Sequence, residues 1–158
     1  MKNVKTKSSL ASKMAVPGGR TVAQALAAAE LGLASHRDEA MAQIGLTLGR
    51  LEAAIAARDE VAQAGVYDLA AALLDLAGFF ETGPLYTAAF SLCEMSDRMT
   101  TDGAWAWPSI EVHVHAMRLI LADDCKESAS STVLLKGLAT LSRHRAEGGT
   151  RTSNSLVR

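Results

Sequence analysis

The chain has 158 residues, a length that suits one domain with a core of its own. Hydrophobic residues make up 49% of it but aromatics only 4%, and Ala and Leu supply much of the apolar content, which excludes a strand-rich core. Two cysteines, Cys93 and Cys125, are too few for a disulfide scaffold, and the net charge of −1 conceals an uneven layout.

Residues 1–20 carry Lys2, Lys5, Lys7, Lys13 and Arg20 with no acid, for a charge of +5. Residues 21–124 set fifteen acids against five arginines, −10, and residues 125–158 set six bases against Glu127 and Glu147, +4. A basic tail, an acidic body and a basic end point to binding. Lys, Ser and the break at Pro17-Gly18-Gly19 make residues 1–20 a flexible tail.

Thr21 is the expected N-cap of the first helix. Val22, Leu26, Ala29, Leu33, Ala40, Ile44, Leu48, Leu51 and Ile55 then share one helical face. The pattern predicts one helix over about 21–63, or two if Ser35 and Asp38 act as a capping pair, with Gly65 ending the run. Gly32, Gly45 and Gly49 weaken it by about 1 kcal/mol each relative to Ala. For Gly45 and Gly49, close approach of a neighbouring helix is the expected reason.

A second pattern runs through Val66, Leu69, Leu73, Leu76 and Phe80 and stops at Gly83-Pro84. Pro84 suits the first turn of the next helix, which carries Leu85, Ala88, Leu92, Met95 and Met99 inward. Asp102-Gly103 is a turn. Pro108 opens a helix with Ile110, Val114, Met117 and Leu121 inward, and Asp123-Asp124 closes it. Ser128 or Ser130 caps a last helix with Val133, Leu134, Leu138 and Leu141 inward. Arg143, His144 and Arg145 lie near its C-terminal end, where the macrodipole favours cations. From Glu147 onward the chain is expected to fray.

The fold class is therefore all-α, an antiparallel bundle of five or six helices over 21–146, with a flexible basic tail over 1–20 and a flexible tail over 147–158. No apolar run approaches the ~20 residues of a membrane span, and no apolar stretch follows the N-terminal lysines as a signal peptide requires. A cytoplasmic protein with reduced thiols is expected.

Candidate chemistry is thin. His113 and His115 stand at i and i+2, which on a helix point about 200° apart, so a shared metal has poor geometry. Cys93 has no base placed beside it by the sequence and reads as an inert, partly buried thiol. The Pro17-Gly18-Gly19 break is no phosphate loop. The acid pairs Asp38-Glu39, Asp59-Glu60 and Asp123-Asp124 read as solvated surface. Trp105 and Trp107 in the loop before Pro108 either anchor a partner or plug the end of the bundle. The pattern calls for no metal, no cofactor and no catalytic residue.

Residues 133–139, Val-Leu-Leu-Lys-Gly-Leu-Ala, resemble the H-x-L-K-G motif of histidine phosphotransfer domains, which are helical bundles of similar size. Val133 stands where that family has its phosphorylated histidine, so the resemblance implies the fold without the acceptor. Residues 5–26, with the Lys/Ser opening and then Pro-Gly-Gly-x-Thr-Val, are similar to the small helical CheE-type proteins encoded beside bacterial chemotaxis genes. That resemblance implies a cytoplasmic accessory to chemotaxis signalling and brings no catalytic residues with it.

The expected function is a non-enzymatic interaction protein of bacterial signal transduction. Its partner would be a protein, acidic or a signalling component, engaged by the basic tail residues Lys2, Lys5, Lys7, Lys13 and Arg20 and by Trp105 and Trp107. A homodimer is open as well. Nucleic acid is disfavoured, because the acidic body repels phosphate and the tail has no aromatic to stack on a base. Two alternatives are a phosphorelay protein using His113, His115 or His144 as a displaced acceptor, and a helical small-molecule sensor.

Overall fold

The computed structural model describes residues 21–80 and 82–153, with side chains to residue 144. The expected tail contacts Lys2, Lys5, Lys7, Lys13 and Arg20 lie outside the described residues. Five helices follow one another: α1 Val22–Ala57, α2 Glu60–Phe79, α3 Pro84–Thr101, α4 Trp107–Ala122 and α5 Ala129–Ser153. No strand occurs among the described residues. Short connections join them into an all-α bundle in which α2, α3 and α4 pack in sequence and α5 packs on α3 and α4.

The chain divides into two compact units, Met1–Asp38 and Glu39–Arg158. In the first unit, helix α1 begins with a reciprocal cap. The Gln24 amide N–H donates to Thr21 Oγ1 at 3.2 Å, and the Thr21 amide N–H donates to Gln24 Oε1 at 2.9 Å. This is a capping box, and it satisfies two backbone donors that a helix start otherwise leaves open. Val22, Leu26 and Leu33 are 78%, 59% and 61% exposed, so the apolar face expected to be core here stands in solvent.

In the second unit the same face carries Ala40, Ile44, Leu48, Leu51 and Ile55, all buried. The helix does not break at Ser35–Asp38, and Gly65 does not end it. The break falls at Arg58, whose φ of +53° turns the chain without a glycine. Asp59 then caps α2 by accepting from the Ala62 amide at 2.7 Å. Gly65 sits inside α2 with open space where a Cβ would stand. Gly45 is equally open, so no neighbour explains it, whereas a Cβ at Gly49 would lie 3.6 Å from Arg118 Nη2.

Helix α3 is central, packing against α2, α4 and α5. Small residues on it, Ala88, Ala89, Cys93 and Ser96, are buried and let neighbours approach on more than one side. Leu85, Leu92, Met95 and Met99 fill the core as expected, with Ile110, Val114 and Met117 from α4. Asp102 caps α3, and Gly103 follows at φ +62°, the left-handed position that glycine takes cheaply. Ser128 Oγ accepts from the Ser131 amide at 3.1 Å, and Ser131 Oγ accepts from the Ser128 amide at 2.9 Å, so Ser128 starts α5.

Two expectations at the C-terminal end change. Val133 is 69% exposed rather than inward, while Leu138 takes the core position. The backbone of α5 continues as helix past Glu147 to Ser153. A third change concerns α2, which is long enough and, at a mean hydropathy of 1.2, apolar enough to match a membrane span by composition. It carries Asp68 and Asp75, and its row Val66, Ala70, Leu73 and Ala77 is buried in the bundle.

Candidate functional site

The buried polar centre is His113, fully enclosed on α4. Its Nδ1 lies 2.9 Å from the Ser109 carbonyl, which can only accept, so Nδ1 carries the proton. Burial pushes the imidazole below its usual value, and the bond to Ser109 opposes that shift. The ring is therefore neutral, and Nε2 accepts from the Ser91 hydroxyl at 3.0 Å. Ser91 Oγ in turn accepts from the Ser142 hydroxyl at 3.1 Å. One polar thread thus joins α4, α3 and α5.

A serine hydroxyl bonded to an imidazole is also how a nucleophile meets its base. Here a backbone carbonyl, not a carboxylate, orients the ring, and neither Ser91 nor His113 lines any of the cavities described below. The thread satisfies buried groups and holds three helices in register. Cys93 is buried nearby on α3, where desolvation and then the charge of Asp75 push its thiol pKa up. The thiol is a poor nucleophile there.

The outer face between α4 and α5 holds a groove. Two adjoining cavities of about 600 and 500 Å³ share Val133 and Leu134. One reaches Leu119, Ile120 and Asp123, and the other reaches Pro108, Glu111, Val112 and His115. Val112, Leu119 and Val133 are 50%, 47% and 69% exposed, so the apolar lining is open to solvent. Glu111 and Asp123 place acid at each end of it.

A second, more polar site lies at the end of the α2–α3 hairpin. Glu60, Gln63, Ala64 and Tyr67 from α2, Asp97 and Thr100 from α3, and Trp105 from the loop line a notch of about 580 Å³. Trp105 and Trp107 pack against the core and meet edge to face at 5.5 Å between ring centroids. The Trp105 indole N–H is buried and has no acceptor among the described residues. The loop therefore both plugs the bundle end and lines a site.

The other two candidate histidines are separate. His115 is exposed and lines the groove, and His144 is exposed near the end of the described side chains. Among the described residues, no group of three His, Cys, Asp or Glu could hold a metal. The sequence reading missed the Ser91–His113–Ser142 thread, the groove and the notch. Two of these left a signal: Val112 and Leu119 are apolar positions on α4 beside its buried row, and Trp105, singled out in the sequence, lines the notch. No family profile, curated protein or solved structure matches the chain.

Proposed function

We propose that the chain is a non-enzymatic interaction protein that takes an amphipathic helix of a protein partner into the groove between α4 and α5. The exposed row Val112, Leu119 and Val133 carries the reading. The stretch from Pro108 to Asp123 is about 22 Å long at 1.5 Å per residue, or about four turns of a docked helix. A helix laying anchors at i, i+4, i+7 and i+11 into such a groove buries them together. Acid at both ends favours basic residues flanking those anchors.

The setting proposed is bacterial signal transduction in the cytoplasm, as an accessory to chemotaxis. The likeness of residues 5–26 to CheE-type proteins supports it, and the buried cysteines Cys93 and Cys125, neither in a disulfide, suit a reducing compartment. The basic tail would add steering that weakens with salt. The test is affinity capture with the wild type, with Leu119→Glu/Val133→Glu and with a form lacking residues 1–20. The wild type should hold a discrete partner, the double variant should lose it, and the truncation should hold it less tightly. Equal capture by the double variant rejects the groove.

A phosphorelay reading draws support from His115, whose exposed ring lines this same groove. Of the three candidate acceptors, His113 has both ring nitrogens engaged in the interior, whereas His115 and His144 are exposed. Phosphoryl label from a donor kinase that disappears on His115→Gln would favour it.

A further inference from the structure

We propose that the α4–α5 groove of one copy of the free protein seats the outer turns of α1, residues 21–38, from a second copy. The inference rests on the reading of that groove as a seat for an amphipathic helix, and it names the helix.

The groove and the start of α1 are both apolar and both uncovered. Val112, Leu119 and Val133 in the groove are 50%, 47% and 69% exposed, and Val22, Leu26 and Leu33 on α1 are 78%, 59% and 61% exposed. Single exposed leucines are ordinary, but a contiguous apolar row marks an interaction surface. The α1 row is contiguous. Val22, Leu26, Ala29 and Leu33 follow at i, i+4, i+7 and i+11, within about 60° of arc around the helix. That spacing is the one a groove-bound helix uses for its anchors.

Length and charge agree with the spacing. From Val22 to Leu33 the row runs about 17 Å at 1.5 Å per residue, which fits inside the groove's length of about 22 Å. Arg20 precedes the row and Arg37 follows it, with Glu30 the one acid between them. Glu111 and Asp123 stand at the two ends of the groove. A basic residue at each end of the helix therefore meets an acid at each end of its seat.

The helix comes from a second copy. α1 runs without a break from Val22 to Ala57, and from Ala40 onward its apolar face is buried. No hinge precedes Ala40 at which the outer turns could swing toward a groove on the same chain. Reciprocal exchange fills two grooves in each pair and closes the assembly on a two-fold axis. It also regulates the groove, because a partner helix must first displace α1 of the second copy.

The test is analytical ultracentrifugation of the full chain, of Leu26→Glu/Leu33→Glu and of Leu119→Glu/Val133→Glu. All four positions are exposed, and circular dichroism melts at low concentration check that both variants fold. The wild type should pass from monomer to dimer as concentration rises, and each variant alone should stay monomeric. An equimolar mixture of the two variants should associate again, because one keeps the groove and the other keeps the α1 row. If α1 paired with α1, or groove with groove, one variant would dimerise alone, and that result overturns the proposal. The second probe is a fluorescent peptide of residues 20–38. Its anisotropy should rise with Leu26→Glu/Leu33→Glu, whose groove is intact and empty, and not with Leu119→Glu/Val133→Glu. Adding Glu111→Gln/Asp123→Asn to the first variant should weaken the peptide roughly two- to fivefold at low salt, the size expected of exposed charge pairs. A wild type that stays monomeric, or a peptide that does not bind, also overturns the proposal. If the peptide fails while affinity capture still loses its partner with Leu119→Glu/Val133→Glu, the groove stands and only this occupant is rejected. If both fail, the groove reading falls with it.

Discussion

Arg118 on α4 grips Glu52 on α1 with two parallel bonds, Nε to Oε1 at 2.7 Å and Nη2 to Oε2 at 2.9 Å. Gly49 lies one turn before Glu52, where a Cβ would only touch the guanidinium at an ordinary 3.6 Å, and the fork geometry fixes how these two helices face each other. The pairing holds the Glu52 carboxyl below its usual range, chiefly through the hydrogen bond from Arg118. Both side chains are partly in solvent, so the energy is modest.

Arg118→Met should therefore lower stability by about 0.5–1 kcal/mol at low salt and by less at high salt. The Glu52 carboxyl has a lowered value in the folded state, so its contribution is present above pH 4.5 and is lost as pH falls below it. Urea unfolding of the wild type and Arg118→Met at two salt concentrations, repeated above and below pH 4.5, checks both statements. A loss independent of salt would mean that packing of the arginine stem, not charge, matters there.

The histidine thread makes an ordered set of predictions. Ser91→Ala removes the donor to His113 Nε2 and should cost about 1–3 kcal/mol, the penalty of an unmet buried acceptor. Ser142→Ala leaves that bond in place and should cost less. Equal costs would mean that Ser142 is needed to hold the Ser91 hydroxyl toward the ring.

The same ring predicts a pH dependence in the melting temperature. Burial lowers the His113 pKa, so the folded state holds fewer protons than the unfolded state as pH falls. Its stabilising effect is complete above the ordinary value of 6.5 and declines below it. Melts at pH 7.5 and pH 5.5 should differ, and His113→Gln should flatten the difference even though it lowers both.

The apolar stripe of α1 offers a contrast within one helix. Leu48 is fully buried and Leu33 is 61% exposed. Leu48→Ala should cost about 2–5 kcal/mol through lost burial and the cavity left behind, while Leu33→Ala should change stability by less than about 0.5 kcal/mol. Gly45→Ala, with open space around it, should stabilise by about 0.5–1 kcal/mol through helix propensity.

The five helices were legible because their ends carry chemistry that local rules read: Thr21, Pro84 after Gly83, Gly103 after Asp102, Pro108, and Ser128. The break at Arg58 was not, because a non-glycine in the left-handed region carries no compositional mark. The exposure of Leu33 and Val133 was equally hidden. Periodicity says which residues share a face, but not whether anything covers it. Trp105 and Trp107 drew notice as a pair, yet the notch depends on Glu60, Tyr67 and Asp97, which are distant in sequence and unremarkable alone. Long-range convergence of that kind has no signature in local pattern.

One uninterrupted helix, Val22–Ala57, passes from solvent into core. Its outer turns rest on alanine-rich propensity and the Thr21 cap, and its inner turns rest on buried contacts. Amide hydrogen exchange should therefore change by orders of magnitude along a single ladder of backbone bonds, fast before Ala40 and slow after it. Unwinding from the N-terminal side costs little until it reaches Ala40, so the outer turns can open and close many times without the bundle ever coming apart.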